Sequence, residues 1–373
     1  MRVAFYAPLK APDDPVPSGE RTVARLWLAA LREAGFAPEL ASTLRTRDPA
    51  GDRHPALREA SLAEAARLIA RWRDDPPRLW FTYHVYYKAP DWIGPAVSAA
   101  LGIPYVVAEA SRAGKRAAGP HAVGHAAAEA ALDAAALILV PTAHDRESLE
   151  AARLPGQRLI DLPPFLDPAA WPRVPRPAPA TSGVREPPLR LVCVAMMRPG
   201  DKLASYRLLA DALARLGGSW TLDVAGDGPA AAEVAGLLAP FGDRVRIHGA
   251  LAPAALAALY AESDLLVWPA VNEAYGMALL EAQGQGCPVV AGGYGGVPDV
   301  VRHGRTGLVA PPGDAAALAA AVAALADDPA RRAAMAAEAV TFAREERGLA
   351  RAAVVLREVL APLVGPARPR ISA

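Results

Sequence analysis

Short apolar runs alternate along the chain with longer stretches in which apolar residues recur at helical spacing. The short runs are rich in β-branched and aromatic residues, so the alternation predicts repeated βα units, an α/β protein built on parallel sheets. In the first half of the chain, the predicted strands are residues 3–7, 79–83, 105–108 and 137–140. In the second half, they are residues 189–195, 220–225, 245–248, 265–268 and 288–291.

The first predicted helix follows the first strand. Ser18 can cap it, because a serine hydroxyl accepts a hydrogen bond from a backbone N–H of the first turn. Val23, Trp27 and Leu31 then fall on one face of the helix. Gly35 provides the left-handed residue that commonly ends a helix. The pattern therefore predicts an amphipathic helix between Ser18 and Gly35.

Nine prolines lie between Pro163 and Pro188, where they disfavour both helix and central strand. The βα pattern restarts after them, and 373 residues exceed what one hydrophobic core usually organises. We therefore predict an N-terminal Rossmann-like domain, a proline-rich linker, a C-terminal Rossmann-like domain and a final helical segment. Their predicted limits are residues 1–170, 171–188, 189–345 and 346–373.

Composition excludes several classes of protein. Hydrophobic residues make up 53% and charged residues 21% of the chain, and no apolar run approaches the length of a membrane span. The net charge is +1, and neither half of the chain has a large excess of basic residues, which argues against a nucleic-acid-binding surface. The N-terminal run resembles a buried strand more than a signal peptide, which favours the cytoplasm. The basic segment 112–116 is either a solvated loop or a contact for an anionic lipid or phosphate.

The most informative segment follows the predicted strand 265–268. Glu273 lies in the loop at the carboxyl end of this strand, where open α/β sheets bind ligands. Gly276 then begins a helix, whose free N–H groups and positive dipole end suit a phosphate. Glu281 presents a second carboxylate more than a turn further on. Two carboxylates around a phosphate-binding helix start suit a sugar on one side and a ribose on the other.

Glu273 and Glu281, with seven residues including Tyr275 and Gly276 between them, resemble the motif of retaining glycosyltransferases of family 4. The alternative is a pair of surface glutamates beside a helix start. The resemblance implies the GT-B fold, in which two Rossmann-like domains face each other across a cleft. It also implies that Glu273 binds the donor sugar, that Glu281 binds the ribose hydroxyls, and that Tyr275, Gly276 and Met277 contact the donor. The final helix would cross back to the N-terminal domain.

Further segments of the second half resemble this family. Arg198 and Lys202 lie where it keeps two cations against the donor diphosphate, although the family usually has a glycine before the arginine and a longer gap. Fixed cations would stabilise the charge that grows on the leaving diphosphate, so no metal would be needed. Gly226 and Gly296 lie in glycine-rich turns that let the backbone approach the donor closely. A solvated loop and tight structural turns are the alternatives.

The first half resembles the family less closely. Gly19 lies where these enzymes place a glycine loop near the donor phosphates, although helix capping alone explains the same segment. Many members carry a histidine near the transferred sugar, and this chain has Glu109 in that segment instead. We predict His84 and Glu109 as polar groups on the acceptor side, with hydrogen-bonded structural roles as the alternative.

The resemblance implies a nucleoside-diphosphate-sugar donor based on UDP or GDP, with no other cofactor and no metal. The acceptor would be a glycan, a lipid or a small molecule, and the protein would be cytoplasmic or peripheral at the inner membrane face. His121 and His125 have a spacing that can chelate zinc, but no carboxylate motif joins them. Two rivals are a nicotinamide-dependent oxidoreductase, which needs spaced glycines after the first strand, and a non-catalytic two-lobed carbohydrate-binding protein.

Overall fold

The computed structural model describes residues 1–16, 18–176 and 188–365. It divides into two compact units. The first comprises residues 1–163 together with the helix at 349–364, and the second comprises residues 164–348. Residues 177–187 of the predicted linker lie outside the described residues.

Within the described residues, the first unit forms a six-stranded parallel sheet in the order β2-β1-β3-β4-β5-β6. The strands are β1 Arg2–Tyr6, β2 Ala37–Ser42, β3 Leu79–Val85, β4 Tyr105–Ala110, β5 Leu137–Val140 and β6 Arg158–Asp161. The helices between them are α1 Gly19–Glu33, α2 His54–Trp72, α3 Ile93–Leu101, α4 Ala122–Ala134 and α5 Ala143–Ala151.

Helix α1 confirms the prediction from periodicity and capping. The Ser18 hydroxyl accepts a hydrogen bond from the Arg21 backbone N–H at 3.2 Å. Val23, Trp27 and Leu31 are buried, and the Trp27 ring lies 5.5 Å from that of Phe81 on β3. Burial of this apolar face against the sheet fixes the helix beside the carboxyl ends of β1 and β3.

In the described part of the second unit, six further parallel strands pair in the order β12-β11-β10-β7-β8-β9. They are β7 Leu189–Val194, β8 Trp220–Ala225, β9 Val245–Gly249, β10 Leu265–Trp268, β11 Val289–Gly292 and β12 Gly307–Ala310. The helices are α6 Asp201–Ala214, α7 Ala231–Leu238, α8 Pro253–Glu262, α9 Met277–Gly284, α10 Val297–Val300, α11 Ala315–Ala326 and α12 Pro329–Thr341.

The last helix, α13 Leu349–Val364, belongs to the first unit and follows a π-helical turn at Phe342–Glu346. It packs against α1. Leu356 and Leu360 on α13 are fully buried, and the Arg357 guanidinium donates to the Ala34 carbonyl at 3.3 Å. Burial of apolar side chains therefore holds α13 against α1.

Three strands were not predicted from the sequence, and all three lie at sheet edges. They are β2, β6 and β12. Polar residues at exposed or half-buried positions break the apolar run in β2 and β6. Strand β12 is apolar but begins with a glycine, a residue that is depleted in strands.

The backbone packs tightly around Gly292, at the end of β11. A Cβ at this position would lie 2.1 Å from the Pro269 carbonyl oxygen, and both partners are main chain. We expect Gly292→Ala to lower the free energy of unfolding by about 1–3 kcal/mol. Gly236→Ala is the matched control, since that Cβ would meet nothing within 4 Å. Urea unfolding that ranks both variants equal would contradict this packing.

Candidate functional site

The second sheet has a point where the strand order reverses. Strands β7 and β10 are neighbours, with β8 and β9 on one side and β11 and β12 on the other. Open α/β sheets bind ligands beyond the carboxyl ends of the strands at such a point. The loops after β7 and β10 meet there, and they carry Arg198 and Glu273, with Lys202 in the first turn of α6.

Lys202 and Glu273 form a direct ion pair in this place. The Trp268 indole N–H donates to the same Glu273 carboxylate oxygen at 3.1 Å, and the Lys202 ammonium lies 5.5 Å from the Trp268 ring centroid. The side chains of Lys202 and Glu273 are 25% and 16% exposed, so the pair is mostly shielded from solvent. Trp268 was not predicted as a site residue, although it ends the predicted strand just before this loop.

The loop between β10 and α9 is strained and firmly held. Ala270 and Asn272 have positive φ angles of 60° and 49°, which side-chain-bearing residues rarely adopt. The Val271 N–H donates to the Ser205 hydroxyl at 2.9 Å, and the Asn272 amide donates to Asp201 at 2.9 Å. Such conformations cost on the order of 1 kcal/mol each and concentrate at functional sites. Helix α6 thus holds the loop that carries Glu273.

Glycines bring the backbone close around this loop. Gly276 has φ +76° and immediately precedes α9, as predicted. A Cβ at Gly295 would lie 2.3 Å from the Glu273 carbonyl oxygen, and the Gly296 N–H donates to the Ala274 carbonyl at 2.6 Å. The glycine segment after β11 therefore packs directly on the loop that carries Glu273.

The other predicted donor-binding residues of this unit lie nearby on the same elements or strand ends. Tyr275 is partly buried against the core of the unit, and Met277 packs against a small apolar cluster that includes Phe342. A Cβ at Gly226 would lie 1.9 Å from the Ala195 carbonyl oxygen, so the turn after β8 contacts the backbone after β7. The binding roles of these residues stay predictions.

Arg198 differs from Lys202 in its surroundings. Its side chain is exposed in the loop between β7 and α6. Its carbonyl accepts a hydrogen bond from the Leu203 N–H at 3.1 Å, which ties this loop to the first turn of α6. Across residues 1–16, 18–176 and 188–365, its guanidinium forms no ion pair. The arrangement provides one shielded and one accessible cation at the same sheet edge.

Glu281 lies within α9, next to the fully buried Tyr260. Burial raises the pKa of its carboxyl group to about 7, and a hydrogen bond with the Tyr260 hydroxyl opposes that shift only in part. A carboxylate can accept several hydrogen bonds, so Glu281 keeps acceptor capacity for the hydroxyls of a ligand.

Glu281 makes the stability of the protein depend on pH. Because its folded pKa lies above the ordinary value of 4.5, its contribution to stability is full below about pH 4.5 and is lost as the pH rises through about 7. Glu281→Gln should remove this loss and gain up to about 3 kcal/mol over the native protein at pH 8. Urea unfolding at pH 5 and pH 8 measures the difference. An identical gain at both pH values would contradict the buried carboxylate.

The first sheet reverses its strand order between β1 and β3. Glu20 in the first turn of α1 and His84 at the end of β3 meet there, with Nδ1 of the imidazole 3.0 Å from a carboxylate oxygen. Glu109, near the end of β4, places a carboxylate oxygen 3.6 Å from the same nitrogen. The Tyr83 hydroxyl also donates to Glu20 at 3.3 Å. The structure therefore brings the two predicted residues His84 and Glu109 together.

Backbone strain and charge mark this second cluster as well. His84 and Glu109 have positive φ angles of 63° and 62°. Burial alone would lower the pKa of His84, but the carboxylates of Glu109 and Glu20 outweigh it and raise the pKa to about 9. Burial would raise the pKa of Glu20, and the His84 charge lowers it instead. The imidazole is therefore a cation at neutral pH, held between two carboxylates.

Glu20 was not predicted as a site residue, whereas its neighbour Gly19 was. Gly19 is the first residue of α1, and a Cβ there would meet nothing within 4 Å. Packing therefore does not require a glycine at this position. An acidic residue in the first helical turn after the first strand was the available signal for Glu20.

The described ranges contain no group of three histidine, cysteine, aspartate or glutamate side chains placed to hold a metal ion. No helix within them is both long and apolar enough to cross a bilayer.

Solved structures share this architecture over nearly the whole chain. Sucrose-phosphate synthase from Thermosynechococcus elongatus has a TM-score of 0.75 at 19% identity, covering 97% of this chain and 99% of that one. HepE from Anabaena, solved in complex with UDP, has a TM-score of 0.73 at 17% identity, covering 96% and 99%. The predicted fold class is confirmed: the chain has the GT-B fold, built from two Rossmann-like α/β units.

At the level of sequence, residues 188–328 match the family described as Glycosyl transferases group 1. A D-inositol 3-phosphate glycosyltransferase from Corynebacterium efficiens is 40% identical over 101 residues, 27% of this chain and 24% of the relative. One from Thermobispora bispora is 36% identical over 155 residues, 41% of this chain and 31% of the relative. These alignments span less than a third of each relative.

Proposed function

We propose that the protein is a retaining, metal-independent glycosyltransferase that uses a nucleoside-diphosphate-sugar donor. One observation carries the proposal. At the strand-order reversal of the second sheet, Lys202 pairs with Glu273 in the loop before α9, and Arg198 lies in the loop after the neighbouring strand β7, within a region that matches Glycosyl transferases group 1. This combination of cations, a carboxylate and a helix start suits a diphosphate-linked sugar.

Each group has a role in the proposed donor site. Arg198 and the N–H groups at the start of α9 bind the diphosphate, and Lys202 turns from Glu273 toward it. Glu273 is then left to accept hydrogen bonds from hydroxyls of the donor sugar. Glu281 accepts hydrogen bonds from the ribose.

The proposed reaction breaks the bond between the anomeric carbon and the diphosphate oxygen. The electron pair leaves with the diphosphate, and Arg198 and Lys202 stabilise its growing negative charge. The acceptor oxygen bonds to the anomeric carbon on the same face, and the departing phosphate takes its proton. The configuration at the anomeric carbon is therefore retained.

The first unit would bind the acceptor, and its polar cluster supports this. Glu20, His84 and Glu109 offer one imidazolium donor and two carboxylate acceptors, a set suited to hydroxyl groups. The UDP and UDP-glucose complexes of the structural neighbour HepE favour UDP among the candidate bases. We place the protein in the cytoplasm or at the inner membrane face, with a glycan, lipid or small molecule as acceptor.

Melting temperatures measured with a panel of ligands test this function. We expect one nucleotide sugar and its nucleoside diphosphate to raise the melting temperature, with NAD and free sugars having no effect. A shift with NAD would favour the oxidoreductase, and a shift with free sugars alone would favour a carbohydrate-binding protein. With an active donor, NMR of the product anomer tests retention. An inverted product would contradict the mechanism.

A further inference from the structure

The loops after β3 and β4 gather positive charge around one aromatic ring. The Lys88 ammonium lies 5.5 Å and the Arg116 guanidinium 5.3 Å from the centroid of the Tyr87 ring. The His121 imidazole lies 4.9 Å from the same ring, at an interplanar angle of 75°. This group, the Tyr87 cluster, consists of Tyr87, Lys88, Arg116 and His121.

The two cations of the Tyr87 cluster have no acidic partner among the described residues. In the described parts of the chain, neither Lys88 nor Arg116 takes part in an ion pair. Arg112, in the same loop as Arg116, is by contrast clamped by ion pairs to Glu129 and Asp133. Arg112 is thus paired with two carboxylates, whereas Arg116 shares the Tyr87 ring with Lys88. Two like charges on one ring repel each other, and a bound anion would turn that repulsion into attraction.

The surroundings hold the Tyr87 cluster in place. The Asp48 N–H donates to the Lys88 carbonyl at 2.7 Å, while the Asp48 carboxylate accepts from the Arg53 N–H at 2.6 Å instead of pairing with the lysine. A Cβ at Gly51 would lie 2.8 Å from Nδ1 of His121, so the histidine packs directly on this turn. The cations therefore project from a fixed base and not from a free loop end.

One nitrogen of the cluster is unsatisfied. His121 lies beside the fully buried His54, with ring centroids 6.2 Å apart. Within the described residues, Nδ1 of His121 is buried and has no hydrogen-bond partner. Buried polar atoms without partners are uncommon in folded proteins, so this nitrogen is a candidate contact for a polar ligand.

The Tyr87 cluster adjoins the polar groups proposed for the acceptor. The ring centroids of Tyr87 and Tyr86 are 5.6 Å apart, and those of Tyr86 and His84 are 4.9 Å apart. His84 lies at the end of β3, Tyr86 and Tyr87 follow that strand, and Arg116 and His121 follow the neighbouring strand β4. A small molecule with a hydroxyl at His84 could therefore place an anionic group at Lys88 and Arg116.

We propose that the Tyr87 cluster binds the phosphate group of a phosphorylated sugar or polyol acceptor. This rests on the proposed transferase function and specifies its acceptor class. A phosphate monoester carries about −1.5 to −2 charges at pH 7, matching one lysine and one arginine. The guanidinium provides two parallel N–H donors and the ammonium a point charge, while the Tyr87 ring provides a face for the carbon skeleton.

Titration of the full-length protein with inorganic phosphate at constant ionic strength tests the proposal, with the His121 ring resonances as a local reporter. We expect a saturable shift. Lys88→Gln combined with Arg116→Gln should weaken it about tenfold or more. Lys115→Gln is the matched control, because this neighbouring lysine has the same charge and is exposed. An unsaturable shift, or equal weakening by Lys115→Gln, would overturn the proposal.

A second comparison identifies the source of the phosphate. Glucose-6-phosphate should shift the His121 resonances and glucose should not, whereas vesicles containing phosphatidic acid should not sediment the protein. Sedimentation without a response to glucose-6-phosphate would overturn the assignment in favour of a lipid surface. The double variant should keep the nucleotide-induced rise in melting temperature. If no nucleotide raises the melting temperature of the native protein, the transferase function itself is contradicted. Failure of the phosphate site and failure of the transferase function are therefore distinguishable.

Discussion

Lys202→Ala is expected to lower turnover by about 10²- to 10³-fold, the usual effect of removing one preorganised group that stabilises transition-state charge. Lys202 reaches the reaction from the first turn of α6, where it pairs with Glu273. The release of nucleoside diphosphate from the donor that raises the melting temperature measures turnover. The variant should bind this donor only modestly less tightly, because the effect is largest in the transition state.

Folding stability separates this effect from simple damage to the protein. Glu273 keeps the hydrogen bond from Trp268 when Lys202 is removed, so we expect a loss of only about 1 kcal/mol in the free energy of unfolding. Arg207→Ala is the matched control, since Arg207 lies on the same helix and pairs with Glu233 at the surface. Turnover within threefold of the native enzyme in Lys202→Ala would remove Lys202 from the mechanism.

His84 should titrate near pH 9 instead of near its ordinary pKa of 6.5. A raised pKa means that the stabilisation by its charge is full below about pH 6.5 and is lost as the pH rises through about 9. We therefore expect His84→Gln to lower the free energy of unfolding by up to about 3 kcal/mol at pH 6, with the difference vanishing above pH 9. NMR titration of the imidazole and urea unfolding at several pH values measure both quantities.

Glu20→Gln provides the companion variant, because it removes one of the two carboxylates beside the imidazole. We expect it to lower the pKa of His84 while Glu109 holds the pKa above that of an isolated buried imidazole. His144→Gln, at an exposed position of α5, should change the free energy of unfolding by less than about 0.5 kcal/mol. An imidazole midpoint near pH 6.5 in the native protein would contradict the carboxylate cluster.

A protonated His84 limits its part in the proposed reaction. An imidazolium can donate hydrogen bonds but cannot take a proton from the acceptor hydroxyl at neutral pH. This agrees with a mechanism in which the departing phosphate takes that proton. Glu20 and Glu109 would then serve to hold the imidazolium and to orient acceptor hydroxyls.

The central strands and the start of α9 could be predicted because their signals are local. Continuous apolar runs mark buried strands such as β1 and β10, and Gly276 with its flanking polar residues marks a helix start. The edge strand β2 has no such signal, because exposed positions interrupt its apolar pattern. Its place is decided by pairing with β1, which is a tertiary interaction.

The site was predictable in its residue types but not in its contacts. Lys202 and Glu273 are far apart in sequence, and only the adjacency of β7 and β10 brings them into an ion pair. The same holds for Glu20 and His84, which the adjacency of β1 and β3 joins. Sequence spacing alone does not reveal which strands become neighbours. His84 and Glu109 were predicted as polar groups of the acceptor side, whereas Glu20 and the contacts between the three side chains emerged only from the fold.

A crystal structure of the protein with the nucleoside diphosphate that raises its melting temperature tests the proposed donor site most directly. We expect the diphosphate to lie at the N-terminus of α9, in contact with Arg198 and Lys202, and Glu281 to bind the ribose hydroxyls. A nucleotide bound elsewhere, or the Lys202–Glu273 ion pair kept intact with the diphosphate out of reach, would contradict it.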